Sequence, residues 1–141
     1  MTESITRLGS VLLVDDDEVT NFYNEHLILK MGLTDHVHHA LNGREALDYL
    51  TLKGAAFADY RRPDLILLDI NMPIMNGFEF LDEYEKLPAE EKGHHLIVML
   101  TTSMLEVDKE RAAKFGVLSE YIAKPLTEVQ LARVIQKIGG D

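Results

Sequence analysis

The stretch VLLVDDDEVT, Val11 to Thr20, sets four apolar residues directly against three aspartates. An unbroken apolar run of this length is the pattern of a strand covered on both faces, as in a parallel sheet between helical layers. Three like charges at its end repel one another, and proteins seldom tolerate such crowding unless something positive relieves it. The same unbroken pattern recurs in LILL at Leu65–Leu68 and in LIVML at Leu96–Leu100. Two weaker runs, DHVHHA at Asp35–Ala40 and EYIAKP at Glu120–Pro125, bring the set to five.

Helical patterns separate the runs. Between Asp17 and Met31, apolar or aromatic residues recur at Val19, Phe22, Tyr23, Leu27 and Met31, and Gly32 is a stop signal. NGREALDYL starts with Asn42 and places Glu45 three residues on, a capping-box arrangement, and NGFEFLDEY repeats it with Asn76 and Glu79. SMLEVDKERAAKFG offers Ser103 with Glu106 and closes at Gly116. TEVQLARVIQKI offers Thr127 with Gln130, then Leu131, Val134, Ile135 and Ile138 at helical spacing. Strand and helix alternate five times, which predicts an α/β fold with right-handed crossovers. TLKGAAFADYRRP, Thr51–Pro63, reads as a long surface connection.

The chain's 141 residues suit one domain with its own core. It has no cysteine, which excludes disulfides, zinc–thiolate sites and thiol nucleophiles. A net charge of -10 excludes nucleic acid and anionic membrane as main partners, since nothing would neutralise their phosphates. No apolar run is long enough to span a bilayer, and MTESITRLGS at the start lacks the apolar core of a signal peptide. A soluble, cytoplasmic protein is the expectation.

In an open parallel sheet the functional crevice lies at the carboxyl ends of the strands. The first strand delivers Asp15, Asp16 and Asp17 there, the third Asp69, the fourth Thr101, and the fifth Lys124 followed by Pro125. Clustered carboxylates without nearby His or Cys favour a hard cation with oxygen ligands, and magnesium characteristically adds waters and a phosphate oxygen. An aspartate beside it can attack phosphorus, while an ammonium and a hydroxyl pair with phosphoryl oxygens. Asp17 reads better as a helix cap than as a metal ligand. An EF-hand reading of DDDEVTNFYNEH fails, because Thr20 and His26 stand where that loop needs Gly and Glu. His36 and His38 share a strand face but lack a third ligand.

The segments VLLVDDDE, NGREAL, PDLILLDINMPIMNG, IVMLTTS and EYIAKPL, in this order and spacing, resemble the receiver domain of two-component response regulators over about Ser10 to Ile138. The stretch before Pro63 is loosely similar to stand-alone regulators associated with phytochrome-type kinases. The resemblance implies a doubly wound, five-stranded parallel sheet of flavodoxin-like order 2-1-3-4-5 with helices on both faces. It implies one receiver domain over residues 1–141, with a core at about 10–138 and no output domain. Asp69 then matches the phospho-acceptor. Asp16 matches the direct magnesium ligand, Asp15 the acid holding metal-bound water, and Asn71 the donor of a backbone carbonyl. Thr101 matches the switch hydroxyl, Tyr121 the switch aromatic and Lys124 the phosphate-pairing lysine. Lys124–Pro125 matches a peptide bond often cis in the family. Thr102 is larger than the residue common at its place and would crowd the phosphoryl group.

The implied function is a phospho-acceptor switch that catalyses only its own phosphorylation and dephosphorylation. The phosphoryl donor would be a sensor histidine kinase or a histidine phosphotransfer protein. Self-association would use the face built by the fourth helix, fifth strand and fifth helix. An aspartate-based phosphatase would want a second acid where Asn71 stands. A flavin carrier would need a phosphate-binding loop where the three aspartates stand. A receiver-like module that only docks partners would not need the acids, Thr101 and Lys124 together. The crowding also predicts that at least one carboxylate has a raised pKa, and that Asp15→Asn stabilises the metal-free protein.

Overall fold

Residues Val11–Val14 form the first strand, β1, and all four side chains are buried. The computed structural model describes residues 7–56, 62–89 and 96–139. Among these, helices and strands alternate: α1 (Glu18–Lys30), β2 (Val37–Ala40), α2 (Gly43–Ala56), β3 (Leu65–Leu68), α3 (Gly77–Glu85), β4 (Leu96–Thr101), α4 (Glu106–Ala113), β5 (Leu118–Ala123) and α5 (Glu128–Gly139). The five strands pair in parallel in the order β2-β1-β3-β4-β5, as the resemblance implied.

Successive residues of a strand face opposite ways. Leu12 and Val14 therefore join Ile66, Leu68, Ile97 and Met99 in one core under α2 and α3, with Ala112 of α4. Val11 and Leu13 join Leu65, Leu67, Val98 and Leu100 in the other, under α1 and α5. Both faces are covered, which is why these three strands are continuously apolar. In-register pairing places Val14 beside Leu68, so the next residues along, Asp15 and Asp69, leave the sheet side by side.

The helix starts follow the cap signals in most cases. Asn76 and Glu79 form a reciprocal capping box, as do Thr127 and Gln130. Asn42 accepts from the Glu45 N–H, while the Glu45 carboxylate reaches the N–H of Leu41. Ser103 does not cap: α4 begins later, its N-cap is Leu105, and no side chain caps it.

Two other expectations change. The inner face of α1 carries Asn21, Asn24, Leu27 and Ile28, while Val19, Phe22 and Tyr23 are exposed. Of the residues at the expected period Leu27 does face inward, but Asn21 and Asn24 take the inner positions in the first turns in place of Val19, Phe22 and Tyr23. Residues 51–56, expected in a surface connection, continue α2. The remainder of that connection up to residue 61, and His94 with His95, lie outside the described residues, and so does the side chain of Ile138.

Candidate functional site

The ends of β1, β3, β4 and β5 hand polar groups to the same edge. After β1, Asp15 is 5% exposed, and its two oxygens are engaged by different partners. One accepts from the Asp17 N–H at 2.9 Å, the other from Lys124 Nζ at 2.6 Å. Asp16 is exposed. Asp17 is the N-cap of α1, accepting from the Val19 N–H and the Thr20 hydroxyl, each at 3.0 Å. The Thr20 bond first, then the Val19 bond, hold its carboxyl below the usual range. That is the capping role expected of it.

Asp69 follows β3 with 8% exposure, its N–H bonded to the Val14 carbonyl at 2.9 Å. Lys124 Nζ lies 3.5 Å from its nearer oxygen, so the ammonium sits closer to Asp15 than to Asp69. Burial pushes the Asp69 carboxyl up to about 6; the Asp15 charge adds to this, and Lys124 opposes both. Burial alone would lower the Lys124 pKa, but the Asp15 hydrogen bond and the Asp69 and Asp15 charges outweigh it and raise it. The expected carboxylate shift thus falls on Asp69, with desolvation as its first cause and repulsion as its second.

Carboxylate oxygens of Asp15, Asp16 and Asp69 lie within 4.8 Å of one another. Three hard oxygen donors at this separation suit a hard divalent cation. Among the described residues this is the one such group, so His36 and His38 are not joined by a third ligand. His38 instead lies against Tyr49, with ring centroids 5.1 Å apart.

Thr101 closes β4, fully buried, and its hydroxyl oxygen accepts from the Ser103 N–H at 3.1 Å. Its carbonyl accepts from the Lys124 N–H at 2.9 Å, so strand pairing itself delivers the lysine to this edge. Lys124–Pro125 is cis. Tyr121 donates its hydroxyl to the Ser103 carbonyl at 2.9 Å. Asn71 and Thr102 are both exposed.

The floor beneath Asp69 is tight. The Gly77 N–H donates to the Ile70 carbonyl at 2.8 Å, and a Cβ on Gly77 would collide with the Asp69 carbonyl oxygen. Only glycine allows α3 to start this close to the end of β3. Ile74 has φ of 69°, a strained value for a β-branched side chain, and is exposed.

Two neighbours escaped the reading of the sequence. Asn21 and Asn24 line a gap under Asp15 and Asp69 that has no room for water. Asn21 donates to the Asp15 carbonyl at 2.9 Å, yet among the described residues neither amide oxygen of the pair, both buried, has a partner. The available signal was a pair of asparagines three apart, in phase with Ile28 rather than with Phe22. Ser103 carries only a cap signal in the sequence, although it contacts both Thr101 and Tyr121.

Comparison with known proteins agrees with this geometry. The family described as "Response regulator receiver domain" matches residues 11–136. Two-component response regulator 24 of Arabidopsis thaliana is 32% identical over 129 residues, covering 92% of this chain and 83% of that protein. A two-component response regulator from Cytophaga hutchinsonii superposes with a TM-score of 0.84 at 30% identity, over 96% of this chain and 99% of that one. The phosphorylated cyanobacterial phytochrome response regulator RcpA gives 0.73 at 29% identity, over 92% and 90%. Other relatives are longer: the chain spans 7% of a hybrid signal transduction histidine kinase of Dictyostelium discoideum and 48% of a transcriptional regulatory protein of Halalkalibacterium halodurans. No described helix is long and apolar enough to cross a membrane. Sheet order, clustered acids and family match converge, and the chain belongs to the response regulator receiver domain family.

Proposed function

We propose that this receiver domain accepts a phosphoryl group on Asp69 from the phosphohistidine of a sensor histidine kinase or a histidine phosphotransfer protein. The observation that carries this reading is the convergence of Asp15, Asp16 and Asp69 with Lys124 on one sheet edge. An Asp69 oxygen attacks phosphorus in line, a P–O bond forms, and the P–N bond breaks as the imidazole leaves with its electron pair. Lys124 balances charge on the phosphoryl oxygens, for which it exchanges its contact with Asp15. The Thr101 hydroxyl donates to one of those oxygens, and Tyr121 responds to its movement.

Asp15, Asp16, Asp69 and the Asn71 carbonyl would hold magnesium, whose positive charge assists the transfer when bound. The domain then turns over only its own phosphoryl group, and the α4–β5–α5 face is the surface for self-association or for a partner. A cytoplasmic setting, where kinases of this class present phosphohistidine, fits this role.

Mass mapping after incubation with a small phosphodonor and magnesium tests the assignment. One acid-stable, base-labile phosphoryl group is expected on Asp69 and none in Asp69→Asn. Undiminished phosphorylation of the variant would overturn it. Phosphotransfer profiling against candidate kinases identifies the donor.

A further inference from the structure

We infer that Ser103 is the positioning residue that latches α4 to the switch pair Thr101 and Tyr121, with Asp108 as the catch. The inference rests on the phospho-acceptor reading above for its purpose, and on hydrogen bonds of Ser103 for its geometry. The Ser103 N–H donates to Thr101 Oγ1 at 3.1 Å. Its carbonyl accepts from the Tyr121 hydroxyl at 2.9 Å. Its own hydroxyl donates to Asp108 Oδ2 at 2.6 Å, in the first turn of α4. One residue thereby joins the end of β4, the middle of β5 and the start of α4.

Little else among the described residues fixes the start of α4. Of its eight residues only Ala112 is buried, and its N-cap Leu105 makes no side-chain cap. The Leu105 N–H instead reaches Ser103 Oγ at 3.4 Å. At the other end Arg111 lies over the Phe78 ring, 4.4 Å from its centroid, which ties the last turn to α3. Among the described residues, Ala112 and Arg111 anchor the last turn of the helix, and Ser103 anchors its start.

The coupling comes from what Thr101 must do. Its hydroxyl oxygen now accepts from Ser103. When that oxygen moves to donate its proton to a phosphoryl group on Asp69, Ser103 either moves with it or loses the bond. Either way the Ser103 carbonyl and hydroxyl shift together, so Tyr121 and Asp108 receive the same displacement. A helix with a buried face would resist it; α4 has almost none.

Amide hydrogen exchange across α4 tests the latch in Ser103→Ala, Asp108→Ala and Ser103→Thr, with and without a phosphoryl group. In the unphosphorylated protein, exchange over residues 106–110 should rise about fivefold to tenfold in the two alanine variants, the effect of losing the Ser103–Asp108 hydrogen bond that both remove. Ser103→Thr keeps a hydroxyl and should restore the wild-type rate. On phosphorylation, the α4 response should vanish in the alanine variants while Tyr121 and its strand still respond. Unphosphorylated exchange within twofold of wild type in both alanine variants would overturn the latch, and so would a wild-type-sized α4 response. If wild type takes no phosphoryl group on Asp69, the functional reading fails, and the unphosphorylated arm still decides the latch.

Discussion

Burial and Asp15 both push Asp69 toward its neutral form, and Lys124, 3.5 Å away, opposes them incompletely. An aspartate in an unfolded chain ionises near about 3.9. Between there and about 6 the folded state keeps a proton that the unfolded state has released. Stability therefore falls as pH rises through that window, and the loss is complete above it. Asp69→Asn removes the buried charge and should stabilise the metal-free protein by roughly 2 kcal/mol at pH 7.5, with little gain at pH 4. Thermal melts in chelator at both pH values check this, and equal gains at both would contradict the raised pKa. The crowding seen in VLLVDDDEVT had suggested Asp15→Asn as the relieving change. Asp15, however, accepts from Lys124 at 2.6 Å and from the Asp17 N–H, so its charge is the better compensated of the two. Which acid keeps the lysine was not legible in the sequence, because it depends on fractions of an ångström between side chains from β1, β3 and β5.

At the scale of elements, the capping boxes of α3 and α5 were legible because a cap is local chemistry. The face of α1 was not, since its inner stripe contains Asn21 and Asn24 and its outer stripe Phe22 and Tyr23. Polarity at the site inverted the usual period. A buried orphan amide oxygen costs about 1–3 kcal/mol, so these asparagines weaken the packing of α1 where it meets the acids. Phe22→Ala and Tyr23→Ala should accordingly change stability by no more than about 0.5 kcal/mol, whereas Ile28→Ala should cost about 2–5 kcal/mol. Denaturant unfolding of the three variants separates the two faces, and a large loss at Phe22 would return it to the core. The start of α3 makes a second case. Gly77→Ala must displace the Asp69 carbonyl, so it should lower both the denaturation midpoint and the phosphorylation rate with a small donor. A variant with an unchanged rate would mean that the loop after Asp69 yields without disturbing the carboxylate.

For the whole molecule, the parallel sheet was legible from three unbroken apolar strands, and the edge carrying the site from the polar residues at their carboxyl ends, Asp15, Asp69 and Thr101. Strand order needed the resemblance, because no single run says which neighbour it pairs with. If magnesium binds the acids, it stabilises the folded state by an amount that grows with the logarithm of its concentration. Wild type should therefore melt higher as magnesium is raised, and Asp69→Asn should gain less; parallel gains would place the cation elsewhere. The ion pair of Asp15 with Lys124 joins positions 109 residues apart. Such a contact closes only after nearly every strand has found its place, and non-local contacts of this kind form late and slowly. No nascent chain still short of Lys124 can own the complete site. A ribosome must carry synthesis through the fifth strand, and the strand bearing Lys124 must then close on the one bearing Asp15, before a signal has anywhere to land. A phosphoryl group on this protein would thus certify that the whole sheet had been made and assembled.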